Sequence, residues 1–224
     1  MIDYQNYIFK LIDLLRQQFG MRLLYIGLQG SYLRGEATNN SDIDIMVIID
    51  ELSVTDLEQY RSAIHSLEHA EKSCGFICSK SDLANWNPLE ICHLLHTTQD
   101  YFGVLSEFVP HYTKNDIVNF VKVSVANLYH EICHKYIHAD KSKNIESLPA
   151  SYKGVFFILQ NCYYLEHNQY IATKAELISR LTGKNYAVLK HAIDINVGNT
   201  YDFSESFDLL FTWCQETLKS ITLI

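Results

Sequence analysis

The stretch GSYLRGEATNNSDIDI, residues 30–45, decides how this 224-residue chain is interpreted. It follows a short apolar run, Leu23–Leu28, that has the length of a β-strand. A segment rich in Gly, Ser and Asn then interrupts regular structure, as loops and turns do. A second strand is predicted at Ile43–Ile49, and Asp42 and Asp44 fall on one face because side chains alternate along a strand. The sequence therefore predicts strand, turn and strand, with two acids beside the turn.

The acids and the turn have the chemistry of a site for a metal-bound polyphosphate. Mg²⁺ is commonly held by one or two carboxylates together with substrate phosphates. Two such ions can align the attacking and leaving oxygens of a phosphoryl displacement. Gly30 lets a phosphate approach the backbone, Ser31 can donate hydrogen bonds to it, and Arg34 adds a charged fork. We therefore predict a site for two Mg²⁺ ions, held by Asp42 and Asp44, and a nucleoside triphosphate.

The same stretch resembles the signature of the DNA polymerase β-like nucleotidyltransferase superfamily, which is Gly-Ser, a variable segment and then Asp-x-Asp on a strand. The residues that meet this signature are Gly30, Ser31, Asp42 and Asp44. The fuller form of the small bacterial and aminoglycoside-type members is matched at Arg34, Gly35 and Ser41. The resemblance implies transfer of a nucleoside monophosphate, AMP by preference, from an NTP to an acceptor with release of pyrophosphate. Asp42 and Asp44 would be catalytic, and Ser41 would steady the loop that leads into the strand.

The family resemblance also implies a third carboxylate from a later strand. The later strand is predicted at Gly75–Cys78 and contains no acid. Glu71 just before it and Asp82 just after it are the nearest carboxylates. Glu71 is the expected substitute, because it approaches the sheet from the end of a helix.

The rest of the pattern predicts an α+β protein with two domains. Residues 1–108 are expected to form a nucleotidyltransferase domain, a small mixed sheet with flanking helices. Residues 109–224 are expected to form an all-helical bundle of about five helices. The helices predicted from apolar periodicity and capping residues are 3–19, 55–71, 88–101, 113–139, 151–168 with Pro149 in its first turn, 173–183 ended by Gly183, 185–195 and 204–221.

The resemblance extends into the helical half. Aminoglycoside-type members follow the catalytic domain with a helical bundle that carries a helix, a turn and a Ser/Thr-Lys segment, and residues 165–176 look like that element. Lys153 and Lys174 are the expected phosphate contacts there. The expected acceptor is an aminoglycoside-like small molecule or a protein.

Composition restricts the class of protein. The formal charge of −8 argues against extended nucleic-acid binding, which needs a broad basic surface. The six cysteines include no CxxC pair and are typical of reduced thiols in a cytoplasmic protein. No apolar run approaches the roughly 18 residues that a membrane span needs, and the N-terminus has no basic and apolar leader.

Two alternatives remain open. The same site could bind a nucleotide without turnover, in a catalytically weak or antitoxin-like regulatory module, and the missing acid on the later strand favours this interpretation. The sequence also contains His130-Glu131-Ile132-Cys133-His134, the HExxH pattern of zinc peptidases, with Glu166 available as a third ligand. His138 extends that histidine pair into a stripe on one helical face.

Overall fold

The computed structural model describes residues 2–221. The chain divides between His111 and Tyr112 into two compact units, and the predicted division after residue 108 lies three residues earlier. The first unit contains the sheet. The described part of the second unit contains helices and no strand.

The first unit is a four-stranded mixed sheet with helices packed on both faces. Its strands are β1 Leu23–Leu28, β2 Ile43–Ile49, β3 Ser73–Ser79 and β4 Gln99–Phe102. Its helices are α1 Tyr4–Phe19, α2 Gly30–Leu33, α3 Val54–His65, α4 Lys80–Ala84 and α5 Pro88–His96. The strand order is β3-β2-β1-β4, in which β1 is antiparallel to both neighbours and β2 is parallel to β3. The predicted mixed sheet is confirmed.

Strand β2 is apolar on both faces because helices cover both. Ile43, Ile45 and Val47 are buried with the apolar side of α1. Met46 and Ile48 point to the other face, where residues of α4 and α5 pack. Asp44 alternates with the first set and therefore shares a face with Met46 and Ile48.

Arg22, immediately before β1, links β1 to the end of β2 and the start of α3. Its guanidinium donates to Asp50 at 2.9 Å and to Asp56 at 2.8 Å, and also to the Glu51 carbonyl oxygen at 2.7 Å. The hydrogen bonds to Asp56 and Asp50 raise the pKa of Arg22, and the one to Asp56 has the larger effect. The hydrogen bond from Arg22 is also the main cause that lowers the pKa of Asp56. The network fixes the end of the β1–β2 pair that lies opposite Asp44.

The described part of the second unit has six α-helices. They are α6 Lys114–His138, α7 Lys141–Tyr152, α8 Val155–His167, α9 Lys174–Arg180, α10 Gly183–Asn196 and α11 Phe203–Ser220. The predicted helical C-terminal half is confirmed, with one helix more than expected. Within residues 2–221, no helix combines the length and the apolar character that crossing a membrane requires.

Three expectations for the first unit need correction. Residues 99–102 form the edge strand β4 and not the end of a helix, because they pair with β1. Helix α3 ends at His65, and residues 70–72 form a separate 3₁₀ turn after His69, whose φ is +67°. The turn after β1 is partly helical, since Gly30–Leu33 forms α2.

Two expectations for the second unit also need correction. Pro149 lies inside α7 and does not open the next helix. Because proline has no N–H, the carbonyl oxygen of Ile145, four residues earlier, loses its helical hydrogen bond. The hydroxyl of Tyr201 donates to this carbonyl oxygen instead. Gly183 does not end a helix but begins α10, with φ +56°.

Candidate active site

The Gly-Ser turn and the acid pair meet at the same end of two paired strands. Strands β1 and β2 are antiparallel, with Leu28 opposite Ile45. The pairing continues beyond the strand, because the backbone N–H of Gln29 donates to the carbonyl oxygen of Asp44 at 2.8 Å. Gly30, which follows Gln29, is therefore held beside the first residues of β2.

Gly30 lies directly against the Asp44 side chain. A Cβ atom added to Gly30 would be 1.8 Å from Oδ2 of Asp44 and 2.7 Å from its Cγ. The φ angle of Gly30 is +71°, a conformation that residues with a side chain rarely adopt. Space and backbone conformation both require glycine here, and the Gly30 backbone borders the Asp44 carboxylate.

The turn that carries Ser31 is closed by its own backbone. The N–H of Glu36 donates to the Ser31 carbonyl oxygen at 2.9 Å, and the N–H of Arg34 donates to that of Gly30 at 3.3 Å. Ser31 remains partly exposed. The turn therefore has a fixed shape while Ser31 stays accessible to a ligand.

Ser41 fixes the chain just before Asp42. Its Oγ accepts a hydrogen bond from the N–H of Thr38 at 2.9 Å, and its own N–H donates to the Thr38 carbonyl oxygen at 3.1 Å. Asp42 follows at once and is exposed, whereas Asp44, the second residue of β2, is partly buried. Ser41 thus makes contacts within the loop that leads into β2, and its contact with a nucleotide stays a prediction.

Arg34 is partly buried and carries an acidic partner. Its Nε lies 3.0 Å from Oε2 of Glu36. Burial, the nearby His96 and the Arg34 charge together lower the pKa of His93 to about 4. His93 is therefore neutral at pH 7 and adds no second positive charge beside Arg34.

Cys74 is a residue of this region that the sequence interpretation missed. It lies directly opposite Asp44 in the parallel β2–β3 pair, so both side chains share one face of the sheet. Burial raises the pKa of the Cys74 thiol, and the nearby carboxylates of Asp44 and Asp42 raise it further. Cys74 is nevertheless exposed. The place facing Asp44 on the later strand therefore holds a neutral thiol and not an acid.

The two acids named as substitutes lie elsewhere. Glu71 is 71% exposed and lies near His69, with 3.8 Å between Oε1 and Nδ1. Tyr7 of α1 packs on the face of the sheet opposite Asp44. Burial is the main cause that raises the pKa of Tyr7, and the charge of Glu71 raises it further. Asp82 caps α4 by accepting from the N–H of Ser79, at the far end of β3. The structure does not bring Glu71 or Asp82 to the acid pair.

The donor set at the acid pair fits Mg²⁺. Among residues 2–221, no three His, Cys, Asp or Glu side chains form a group that could hold a metal ion. Mg²⁺ does not need such a group, because it is usually held by one or two carboxylates, waters and substrate phosphates. Asp42 and Asp44 supply two carboxylates, and the Gly30 backbone borders that of Asp44.

Lys153 and Lys174 belong to the second unit. Lys153 is exposed and follows the last residue of α7. Lys174 is the first residue of α9, and its Nζ lies 5.6 Å from the centroid of the Phe156 ring. Their contact with a nucleotide stays a prediction.

The sequence around this site matches a known protein family. Residues 10–98 match the family model described as polymerase beta, nucleotidyltransferase. The match spans α1 to α5 and includes the Gly-Ser turn, the acid pair and Cys74. This part of the first unit therefore resembles a nucleotidyltransferase domain of the polymerase β family. The predicted family resemblance is confirmed for this part of the chain.

One relative in sequence and one solved structure are also similar to this chain. Protein adenylyltransferase MntA of Thermococcus cleftensis is 46% identical over 57 residues, which are 24% of this chain and 56% of that protein. The chain thus spans about half the length of that relative. Spectinomycin adenyltransferase AAD(9) of Enterococcus faecialis, in a crystal structure with ATP and spectinomycin, matches at TM-score 0.62 and 13% identity, over 96% of this chain and 99% of that one. This similarity shows a shared fold and confirms the predicted fold class.

A toxin–antitoxin crystal structure with AMP-PNP matches less well. Its TM-score is 0.33 at 22% identity, over 57% of this chain and 92% of that one. A score of this size does not establish a shared fold.

Proposed function

We propose that the chain is a Mg²⁺-dependent nucleotidyltransferase that transfers AMP from ATP to an acceptor and releases pyrophosphate. The observation that carries the proposal is the contact between Gly30 and the Asp44 carboxylate. This contact puts a turn suited to phosphates beside a ligand suited to Mg²⁺. The match of residues 10–98 to the polymerase beta, nucleotidyltransferase family model supports the same reaction class.

Each residue of the site has one role in the proposed reaction. Asp42 and Asp44 hold Mg²⁺, which neutralises charge on the phosphoryl oxygens when it is bound. The backbone at Gly30 and the Ser31 hydroxyl orient the triphosphate, and Arg34 exchanges its contact with Glu36 for a phosphate oxygen. Ser41 keeps Asp42 in place through the turn that precedes it. Positioning and electrostatic stabilisation carry most of the rate enhancement in phosphoryl-transfer enzymes.

ATP is the proposed donor, and two classes of acceptor are proposed. The relative that is 46% identical over 57 residues is called a protein adenylyltransferase, which supports AMP transfer and a protein acceptor. The fold shared with spectinomycin adenyltransferase supports an aminoglycoside-like small molecule. A cationic acceptor suits a chain with a formal charge of −8. Extended nucleic acid remains a poor fit for the same reason.

The cytoplasm is the proposed compartment. All six cysteines are free, and reduced thiols are typical of cytoplasmic proteins.

An assay with purified protein tests the proposal. The protein is incubated with Mg²⁺ and each of the four NTPs in turn, with an aminoglycoside panel in one arm and a protein extract in the other. We expect pyrophosphate release with ATP, and label from [α-³²P]ATP on an acceptor in one arm. Transfer of label from [γ-³²P]ATP instead would identify a kinase and contradict the proposal.

A second candidate function is nucleotide binding without turnover. The observation that favours it is the thiol of Cys74 opposite Asp44, where the family resemblance implies a third carboxylate. Without an acid there, the site itself supplies no general base for the acceptor. In that case ATP and Mg²⁺ bind to the chain, but no pyrophosphate is released.

Substitution of Cys74 by Asp separates the two candidates. We expect Cys74→Asp to raise the rate of pyrophosphate release by about tenfold or more, because a general base commonly contributes about 10²-fold to 10⁴-fold. Cys74→Ser is the matched control, since it removes the thiol and adds no carboxylate. A wild-type rate of zero together with release by Cys74→Asp would favour the binding module. Equal rates for the two variants would show that position 74 does not act on the acceptor.

A further inference from the structure

Three histidines form an exposed stripe on α6 of the second unit. His130, His134 and His138 are spaced four residues apart and are all exposed. The ring centroids of His130 and His134 are 6.1 Å apart, and those of His134 and His138 are 4.8 Å apart. The nucleotidyltransferase site gives these residues no role.

The stripe is not the metal site of a zinc peptidase. Glu131, the base of the HExxH pattern, accepts hydrogen bonds from Lys135 and from Ser151, the latter at 2.9 Å. Glu166, the only third ligand that the sequence suggested, lies on α8 beside His167, with 3.6 Å between Oε2 and Nε2. The part of the chain that is described contains no three-ligand group either. The sequence-based zinc hydrolase alternative therefore has no structural support.

Neighbouring imidazoles on one helical face can nevertheless chelate a metal with two ligands. Zn–N bonds of about 2.0–2.1 Å and a tetrahedral angle place the centroids of two imidazole rings on one Zn²⁺ roughly 5 Å apart. The separation of 4.8 Å between His134 and His138 is close to that value, whereas 6.1 Å between His130 and His134 is longer. The rings of His134 and His138 therefore need little movement to share one ion.

The location on the helix also favours a cation. His138 is the last residue of α6, so the pair lies in the last turns of a 25-residue helix. The carbonyl groups at a helix C-terminus carry partial negative charge, which stabilises nearby cations. Lys135, on the same part of the helix, is already paired with Glu131. The local electrostatics do not oppose a divalent ion.

We propose that His134 and His138 form a binding site for a divalent transition-metal ion of the zinc, nickel or copper type. Imidazole is a preferred ligand of these metals, whereas Mg²⁺ prefers oxygen ligands. Water completes the coordination, because the protein supplies two ligands. The proposed ligands belong to the second unit and differ in chemistry from Asp42 and Asp44, and the existence of the site does not depend on nucleotide transfer.

Calorimetric titration of the 224-residue chain with ZnCl₂ tests the proposal. To remove competing binding at the acid pair, the titration uses the Asp44→Asn variant with its exposed Cys74 replaced by Ser. We expect one Zn²⁺ binding event, whose dissociation constant increases about tenfold or more when His134→Ala or His138→Ala is added. His65→Ala is the matched control, because His65 is an exposed helical histidine outside the stripe, and it should leave the constant unchanged.

Two results would overturn the proposal. One is Zn²⁺ binding of the same strength after His134→Ala and His138→Ala. The other is no binding up to millimolar Zn²⁺ while circular dichroism shows the helical protein intact. Neither result would bear on nucleotide transfer, which is assayed without Zn²⁺.

Discussion

Asp44→Asn reduces AMP transfer by at least about 10²-fold to 10³-fold, the loss typical of removing one electrostatic contact to a phosphoryl or acyl transition state. Asn keeps the size of the side chain and leaves the pairing of β2 with β1 and β3 unchanged. It removes the charge that would bind Mg²⁺ at the Gly30 turn. The measurement is the steady-state rate of pyrophosphate release at saturating ATP and Mg²⁺.

The control for Asp44→Asn is Asp13→Asn, which removes an exposed acid from α1 of the same unit. Its rate should equal that of the wild type. Thermal unfolding of both variants followed by circular dichroism separates loss of function from loss of fold. A wild-type rate in Asp44→Asn would remove Asp44 from the metal site.

Gly30→Ala reduces transfer by about 10²-fold, because a displacement of about 1 Å at a reacting centre can have that effect. The added Cβ would lie 1.8 Å from Oδ2 of Asp44, so the carboxylate or the turn has to move. The left-handed φ of +71° adds backbone strain of roughly 1–2 kcal/mol. A chain of this size loses roughly 2–4 °C in Tm per kcal/mol, so we expect this strain to lower the Tm by about 2–8 °C.

Gly20→Ala separates strain from the clash. Gly20 also has a positive φ, of +58°, but a Cβ there meets no atom within 4 Å. We expect Gly20→Ala to lower the Tm and to leave the rate of transfer near that of the wild type. Equal rates for Gly30→Ala and the wild type would show that the contact with Asp44 has no part in catalysis.

The centre of the site was predictable because its signals are local. Glycine followed by serine after an apolar run, and an acid pair before Ile43–Ile49, need only a turn rule and strand alternation. The structure has β1 and β2 with the predicted bounds. The residue types at the turn and the acids therefore identified the fold of this segment, and the chemistry of these residues is the basis of the proposed site.

Cys74 was missed because strand bounds are a weaker signal than strand existence. The apolar run suggested a strand from Gly75, whereas β3 begins at Ser73. Gly75 looks like the start of a strand but has φ +114°, and a Cβ there would be 1.9 Å from the Ile45 carbonyl oxygen. Glycine is required inside β3 by the close approach of β2. A parallel register between β2 and β3 would have put Cys74 opposite Asp44, but only the folded structure supplies that register.

Strand β4 was missed for a different reason. Gln99–Phe102 has no apolar alternation of its own, and the preceding helix pattern runs into it. It becomes a strand by pairing with the exposed edge of β1, where Asp100 also accepts a hydrogen bond from the Tyr25 hydroxyl at 2.6 Å. Short edge strands depend on such tertiary contacts more than on local propensity.

The most direct test of the account is a crystal structure of the full chain with Mg²⁺ and a non-hydrolysable ATP analogue. The account predicts Mg²⁺ bound by the carboxylates of Asp42 and Asp44, with the triphosphate against the backbone of Gly30 and Ser31. A nucleotide bound elsewhere, or Asp44 without a metal contact while Mg²⁺ and the nucleotide are both present, would contradict it.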